Sequence, residues 1–213
     1  MKKFRQYYQK KPSLLICITV ILTVTVIIGA VFAIYIARTY YIKSKGIQLK
    51  ASMDHEAKSI QYYLQSDPEW ASENIGASSR QIGGAGCLIT CVASAITDLG
   101  VVATPKDVNA KLTEVGGYQT ADLIWYKINE AFAKIDYKYS RVFSSATIDN
   151  DLKAGLLPIV NVKINGNGAT HWLLIIGAKN GEFLAFDPLN KDREPINLSK
   201  HGNVYAYRVL VPA

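Results

Sequence analysis

The sequence predicts an α+β domain, with a helical half packed on an antiparallel sheet, behind a single N-terminal transmembrane helix. Three observations support this expectation. Residues 14–37 are apolar and uncharged, residues 87–132 show helical periodicity, and residues 135–211 contain several β-rich runs. Runs of helices followed by runs of strands are typical of domains in which the helices cover a separate antiparallel sheet.

The apolar segment 14–37 reads LLICITVILTVTVIIGAVFAIYIA. A helix that crosses a hydrocarbon core of about 30 Å needs roughly 20 residues, whereas the apolar part of a cleaved signal peptide has about 7–15. We therefore expect an uncleaved membrane anchor. The predicted organisation is a cytoplasmic basic N-terminus (1–13), the transmembrane helix (14–37), a juxtamembrane connector (38–58) and the domain (59–213).

The net positive charge of the chain comes from the residues that flank the anchor. Nine of its 24 Lys and Arg residues precede position 51, which leaves 15 of them against 17 Asp and Glu, a balance of −2 for the rest of the chain. These basic residues would meet anionic lipid headgroups, and the domain has no basic excess for nucleic-acid binding. Five precede the anchor and four follow it, which favours a cytoplasmic N-terminus and an extracellular domain.

The elements of the domain follow from periodicity and turn signals. A polar helix is predicted over SMDHEAKSIQYYLQ (52–65), followed by a Ser- and Gly-rich ordered loop (65–86). Three helices are predicted next, one from Cys87, one after the Thr104 cap with Pro105 in its first turn, and one from Thr120. A short helix ending near Gly155 and five strands complete the domain: Ile135–Val142, Leu156–Ile164, Thr170–Ala178, Glu182–Asp187 and Val204–Val211.

Cys87 is the candidate nucleophile. It follows a glycine-rich stretch, predicted to be a loose backbone, and opens an apolar helical run. A thiol in the first turn of a helix lies at the positive end of the helix dipole, which favours the thiolate. Cys91, one turn further on, is expected to be a packed apolar residue, and Cys17 lies in the anchor. The three cysteines form neither a disulfide framework nor a set of zinc ligands.

His171 and Asp187 are the candidate partners of this cysteine. His171 begins one predicted strand and Asp187 ends the next, and Asn180-Gly181 between them is a strong hairpin signal. The hairpin would return both residues to the same end of the sheet, where imidazole and carboxylate can bond. A cysteine, a histidine and an acidic partner are the parts of a thiol peptidase. The other histidines, His55 and His201, lie in polar surroundings and are expected to be solvated.

Six segments occur in a fixed order over about residues 60–210: QSDPEWA (65–71), IGGAGCL (82–88), TPKDVNAKL (104–112), AGLLPIV (154–160), HWLLIIG (171–177) and FDP (186–188). Together these segments resemble the double-glycine-peptidase-like (bacteriocin-processing peptidase-like) group of papain-fold bacterial cysteine peptidases. The ordered set is fairly specific to that group.

The resemblance implies a papain-like fold and a role for each matching residue. Cys87 would be the nucleophile, His171 the general base and acid, and Asp187 the residue that orients the histidine. Gln65 would donate to the oxyanion, with Gln81 as the alternative because it lies six residues before Cys87. No cofactor or metal is implied.

The expected function is that of a membrane-anchored thiol peptidase or amide hydrolase acting on a peptide or protein. A non-catalytic peptide- or envelope-binding module on the same fold remains an alternative, and so does an acyl transferase that uses the same residues.

Overall fold

The computed structural model describes residues 12–213, which divide at Tyr41 and Ile42 into two compact units. Helix α1 spans Pro12–Lys45, and an 18-residue stretch of it has a mean hydropathy of 2.9. By length and composition this helix can cross a membrane. The basic residues Lys2 to Lys11, on which the predicted orientation depends, lie outside the described residues.

The second unit contains short helices followed by a sheet, as the sequence predicts. The helices are α2 (Ile82–Ala85), α3 (Cys87–Asp98), α4 (Pro105–Glu114), α5 (Lys127–Ala131) and α6 (Ser145–Lys153), with 3-10 turns at Ile164–Gly166 and Leu198–His201. The strands are β1 (Tyr118–Gln119), β2 (Asp122–Leu123), β3 (Ile135–Ser140), β4 (Pro158–Lys163), β5 (Thr170–Lys179), β6 (Glu182–Phe186), β7 (Ile196–Asn197) and β8 (Val204–Pro212).

Six of these strands form one antiparallel sheet in the order β3-β8-β4-β5-β6-β7. Successive side chains along a strand point to opposite faces, so a central strand such as β5 contributes to two cores. On one face, Leu174 and Ile176 of β5 pack with Ile89 and Val92 of α3. On the other face, Leu173 of β5 joins a second apolar cluster with residues such as Ile148 of α6. Burial on both faces explains why β5 reads as a nearly continuous apolar run.

The polar helix predicted over residues 52–65 is wrong. The chain from Ala51 to Lys58 is extended beside the second half of β5, where His55 exchanges backbone hydrogen bonds with Ala178. A Cβ on Gly177 would lie 2.6 Å from the Cα of Ala57, so glycine permits this approach. Non-local pairing with the sheet thus outweighs the local helix preference.

The compact unit also begins earlier than the predicted boundary at residue 59. Ile42 and Leu49 are buried in the second apolar cluster, and Ile47 pairs with Val204 of β8. Most of the expected connector (38–58) therefore packs with the domain.

The predicted helix from Thr120 is also wrong at its start. Residues 118–123 form the β1–β2 hairpin, in which Thr120 has a positive φ of 61°, and helix α5 begins only at Lys127. The helix predicted after Thr104 is confirmed. The Thr104 side chain accepts a hydrogen bond from the Asp107 N–H, and the Asp107 carboxylate accepts one from the Thr104 N–H. This reciprocal capping box explains where α4 begins.

Candidate active site

Helix α3 presents Cys87 at its first position, with Gly86 as the preceding cap residue. The N–H groups of a first helical turn have no partner within the helix, so they are free to bind an anion there. The cysteine is partly exposed and lines a cleft of about 850 Å³. The structure thus combines an accessible thiol, a helix N-terminus and a cleft.

Two of the three glycines before Cys87 are tightly packed, which corrects the expectation of a loose backbone. A Cβ on Gly86 would lie 2.5 Å from the Cγ2 of Ile82, and one on Gly83 would lie 2.9 Å from the Ala71 carbonyl oxygen. A Cβ on Gly84 would meet no atom within 4 Å. Two of the three glycines therefore allow close backbone approach, which fixes the start of α3 against the preceding segment.

Cys91 is fully buried one turn further into α3, and its thiol donates to the Trp172 carbonyl oxygen at 3.5 Å. Burial, together with the charges of Cys87 and Asp187, raises the pKa of the Cys91 thiol well above its usual value. A thiol held neutral is a poor nucleophile, so Cys91 is a packed residue of the core.

His171 and Asp187 come together as the hairpin signal predicts. His171 is the second residue of β5, Asp187 directly follows β6, and the His171 Nε2 lies 2.7 Å from the Asp187 Oδ1. Their side chains are only 3% and 7% exposed. The same carboxylate oxygen accepts the Leu189 N–H at 2.8 Å. This places an oriented imidazole at the cleft, since His171 also lines it.

The electrostatics favour the charged forms of both groups. Burial alone would lower the pKa of His171, but hydrogen bonds with Asp187 and Cys87 and the charges of those residues raise it to about 9. For Asp187, burial acts to raise the pKa, but the hydrogen bonds from His171 and from the Leu189 N–H, together with the nearby His201 ring, lower it far below its ordinary value. At neutral pH the pair is an imidazolium and a carboxylate.

The two candidate glutamines occupy different environments at the cleft. Gln65 is 4% exposed; its amide donates to the Gly83 carbonyl oxygen at 2.9 Å, and its own oxygen is buried without a hydrogen-bond partner. Gln81 is exposed, and its amide donates to the Ser72 carbonyl oxygen at 3.2 Å. Both line the cleft together with Cys87. An amide nitrogen carries two N–H donors, so Gln65 retains one after bonding Gly83.

The expectation that His55 and His201 are solvated is wrong for both. The His55 side chain is 11% exposed and its Nε2 lies 3.1 Å from a carboxylate oxygen of Asp149, and neither residue lines the cleft. His201 is 3% exposed and packs beside His171. The sequence gives no indication that His201 is buried, because its neighbours Lys200 and Gly202 are typical of a surface loop.

Within residues 12–213, no three His, Cys, Asp or Glu side chains are arranged to hold a metal ion. At the cleft, the Asp187 carboxylate is hydrogen-bonded to His171. The arrangement brings a thiol, an imidazole and amide donors to the wall of one cleft.

No protein-family profile matches the sequence, and no curated protein does. Among solved structures, a protein described as a C39-like peptidase from Bacillus anthracis is similar with a TM-score of 0.50 and 10% identity, over 75% of this chain and 98% of that one. The fold is that of a C39-like peptidase. The peptidase domain of Streptococcus ComA, a bi-functional ABC transporter, is similar with a TM-score of 0.42 and 18% identity, over 60% of this chain and 90% of that domain.

The C39-like fold confirms the predicted fold class, a helical half on an antiparallel sheet of the double-glycine-peptidase-like kind. At such low identity the similarity concerns the fold, and function is argued from the residues in the cleft.

Proposed function

We propose that this chain is a membrane-anchored cysteine peptidase in which Cys87, His171 and Asp187 form the catalytic site. The observation that supports it most strongly is the bond of 2.7 Å between His171 and Asp187 beside a thiol that lines the same cleft. With Nε2 engaged by the carboxylate, Nδ1 is the ring nitrogen left for the Cys87 thiol. A thiol, an imidazole and an orienting carboxylate are the groups that amide hydrolysis by a cysteine needs.

In the proposed reaction His171 already holds the Cys87 proton as an imidazolium, and the Cys87 thiolate sulfur attacks the carbonyl carbon of a peptide bond. The C=O electron pair moves to the oxygen as the C–S bond forms. When this intermediate collapses, the C–N bond breaks and the imidazolium protonates the leaving amine. Water then gives a proton to His171 and attacks the thioester carbonyl carbon, and the C–S bond breaks. This releases the carboxylic acid and restores the thiolate of Cys87 beside the His171 imidazolium.

Gln65 is the proposed side-chain donor to the oxyanion, with the Cys87 N–H as the backbone donor. Gln65 is buried, and one of its amide N–H groups is held by Gly83, which fixes the orientation of the other. Gln81 is the weaker candidate because its side chain is exposed and directed to Ser72. One such donor contributes about 3–4 kcal/mol to transition-state stabilisation in comparable sites.

The length and apolar composition of α1 support the anchor, and the charge bias across it supports an N-terminus in the cytoplasm with the domain outside. The substrate is then a peptide or protein on the extracellular side of the membrane that α1 crosses. A C-terminal alkaline phosphatase fusion, which is active only outside the cytoplasm, tests this orientation; an inactive fusion that is fully expressed contradicts it.

The catalytic assignment is tested by alkylation of the full chain in detergent with iodoacetamide at neutral pH, with the labelled residue located by mass spectrometry. Cys87 is expected to react at least about tenfold faster than a thiol in the urea-unfolded chain, since an adjacent imidazolium favours the reactive thiolate. Cys91 is expected to stay unlabelled. Slow labelling of Cys87, equal to that of Cys91, contradicts the proposal.

Turnover is tested with a mixed-sequence peptide library, in which new termini reveal cleavage. Wild type is expected to generate them and Cys87→Ala is expected to generate none. Cys91→Ala is the matched control, because it removes a thiol from the same helix and should leave cleavage in place.

A further inference from the structure

A second histidine lies against the carboxylate of Asp187. His201 ends the 3-10 turn Leu198–His201, is 3% exposed, and its ring centroid lies 6.0 Å from that of His171. Its Nε2 is 3.5 Å from the Asp187 Oδ2. The buried His201 Nε2 makes no hydrogen bond in the structure, and the Asp187 Oδ2 is an acceptor close to it. Hydrogen bonds in ligand-free catalytic sites are often long and tighten in the complex with substrate.

The tautomer of His201 follows from its other nitrogen. The backbone N–H of Asn165 donates to the His201 Nδ1 at 3.2 Å, so Nδ1 must be unprotonated. A neutral imidazole with an accepting Nδ1 carries its proton on Nε2. That proton is therefore on the nitrogen nearest to Asp187.

The two oxygens of Asp187 have unequal support. Oδ1 accepts hydrogen bonds from His171 at 2.7 Å and from the Leu189 N–H at 2.8 Å. For Oδ2, His201 is the one nearby donor in the part of the chain that the structure describes. A buried carboxylate oxygen without a donor is costly, so loss of this contact favours rotation of the carboxylate away from its present orientation.

We propose that His201 is a positioning residue: it donates Nε2–H to the Asp187 Oδ2 and so holds Oδ1 in line with His171. This inference rests on the proposed function, because it concerns the same catalytic histidine. The order of contacts runs from Asn165 through His201 and Asp187 to His171.

This chain of contacts also reaches the cleft wall. Asn165 lies in the 3-10 turn Ile164–Gly166 with a positive φ of 51°, and Ile164 itself lines the cleft.

The charged or titratable groups that face His201 are Asp187 and His171, while Lys200 on its own turn is exposed. A second proton on His201 would set Nδ1–H against the Asn165 N–H, so the arrangement requires the neutral ring.

Two variants separate the two nitrogens of His201. His201→Gln places an amide N–H near the position of Nε2 and retains a donor for Asp187. His201→Asn is shorter, reproduces only the acceptor for Asn165, and leaves Oδ2 without a donor. The readout is the pH dependence of Cys87 alkylation by iodoacetamide in the full chain, because this needs no known substrate.

With His201→Asn we expect alkylation at neutral pH to slow about tenfold, and the acid limb of the profile to move to higher pH, because a misdirected carboxylate stabilises the imidazolium less. His201→Gln should remain within about twofold of wild type. The control is His55→Asn, which removes a histidine bonded to a carboxylate outside the cleft and should leave the profile unchanged. Equal profiles for wild type, His201→Asn and His201→Gln overturn the proposal.

A measurement on the wild type covers the case in which His201→Asn fails to fold. Nitrogen-15 NMR of the full chain at neutral pH should show His201 protonated at Nε2 and unprotonated at Nδ1. A proton on Nδ1 overturns the proposal. Failure of the proposed function gives a different result, because Cys87 would then label slowly in wild type as well as in the His201 variants.

Discussion

The contact between His171 and Asp187 predicts a loss of stability at alkaline pH that depends on a single imidazole. The pKa of His171 is about 9 in the folded protein and 6.5 in its ordinary state. The folded protein therefore holds this proton more tightly than the unfolded chain does. The resulting stability is fully present below pH 6.5 and is lost as the pH rises through about 9.

The magnitude follows from the same two values. At about 1.4 kcal/mol for each pKa unit, the interval from 6.5 to about 9 corresponds to about 3 kcal/mol. Solvent screening reduces this little, since the His171 side chain is only 3% exposed. Asp187 adds nothing in this interval, because its lowered pKa contributes stability that is lost only as the pH falls through the acid range.

The assay is urea unfolding of the full chain in detergent at about pH 6 and about pH 10. Wild type should lose about 3 kcal/mol more of its unfolding free energy between these pH values than His171→Gln, in which the amide donates to Asp187 but does not titrate. His55→Gln, outside the cleft, should keep the wild-type pH dependence. The reasoning is refuted if wild type and His171→Gln lose the same amount.

Three further changes have outcomes that the structure predicts. Gly86→Ala should lower the unfolding free energy by about 1–3 kcal/mol, because its Cβ would lie 2.5 Å from the Cγ2 of Ile82. Gly84→Ala is the control and should not lower it, because a Cβ there meets no atom within 4 Å. Urea unfolding measures both variants, and equal losses would contradict the predicted clash at Gly86. Thr104→Ala should cost about 1 kcal/mol by loss of the capping box, seen as a lower urea midpoint with an unchanged slope. Asp187→Asn should lower the pKa of His171 in an NMR titration, and an unchanged titration would mean that the carboxylate charge does not reach the ring.

The sequence by itself determined the parts of this protein that depend on local structure. The start of α4 after Thr104 and the hairpin that returns His171 and Asp187 to one end of the sheet were both predicted, and both are confirmed in the structure. Capping and hairpin turns act between residues close in sequence, so the sequence pattern contains most of the information. The position of Cys87 at the first turn of a helix is of the same kind.

Tertiary structure alone decided the contacts between distant segments. The residues from Ala51 to Lys58 have the local preference of a polar helix, but they are extended because the edge of β5 offers backbone hydrogen bonds. The sequence resemblance favours Gln65 over Gln81 as the oxyanion donor, but only tertiary packing buries the first side chain and leaves the second exposed. His201 reaches Asp187 only because the end of β6 and the turn before β8 pack together. No periodicity encodes such contacts, since they depend on which surfaces meet after the chain has folded.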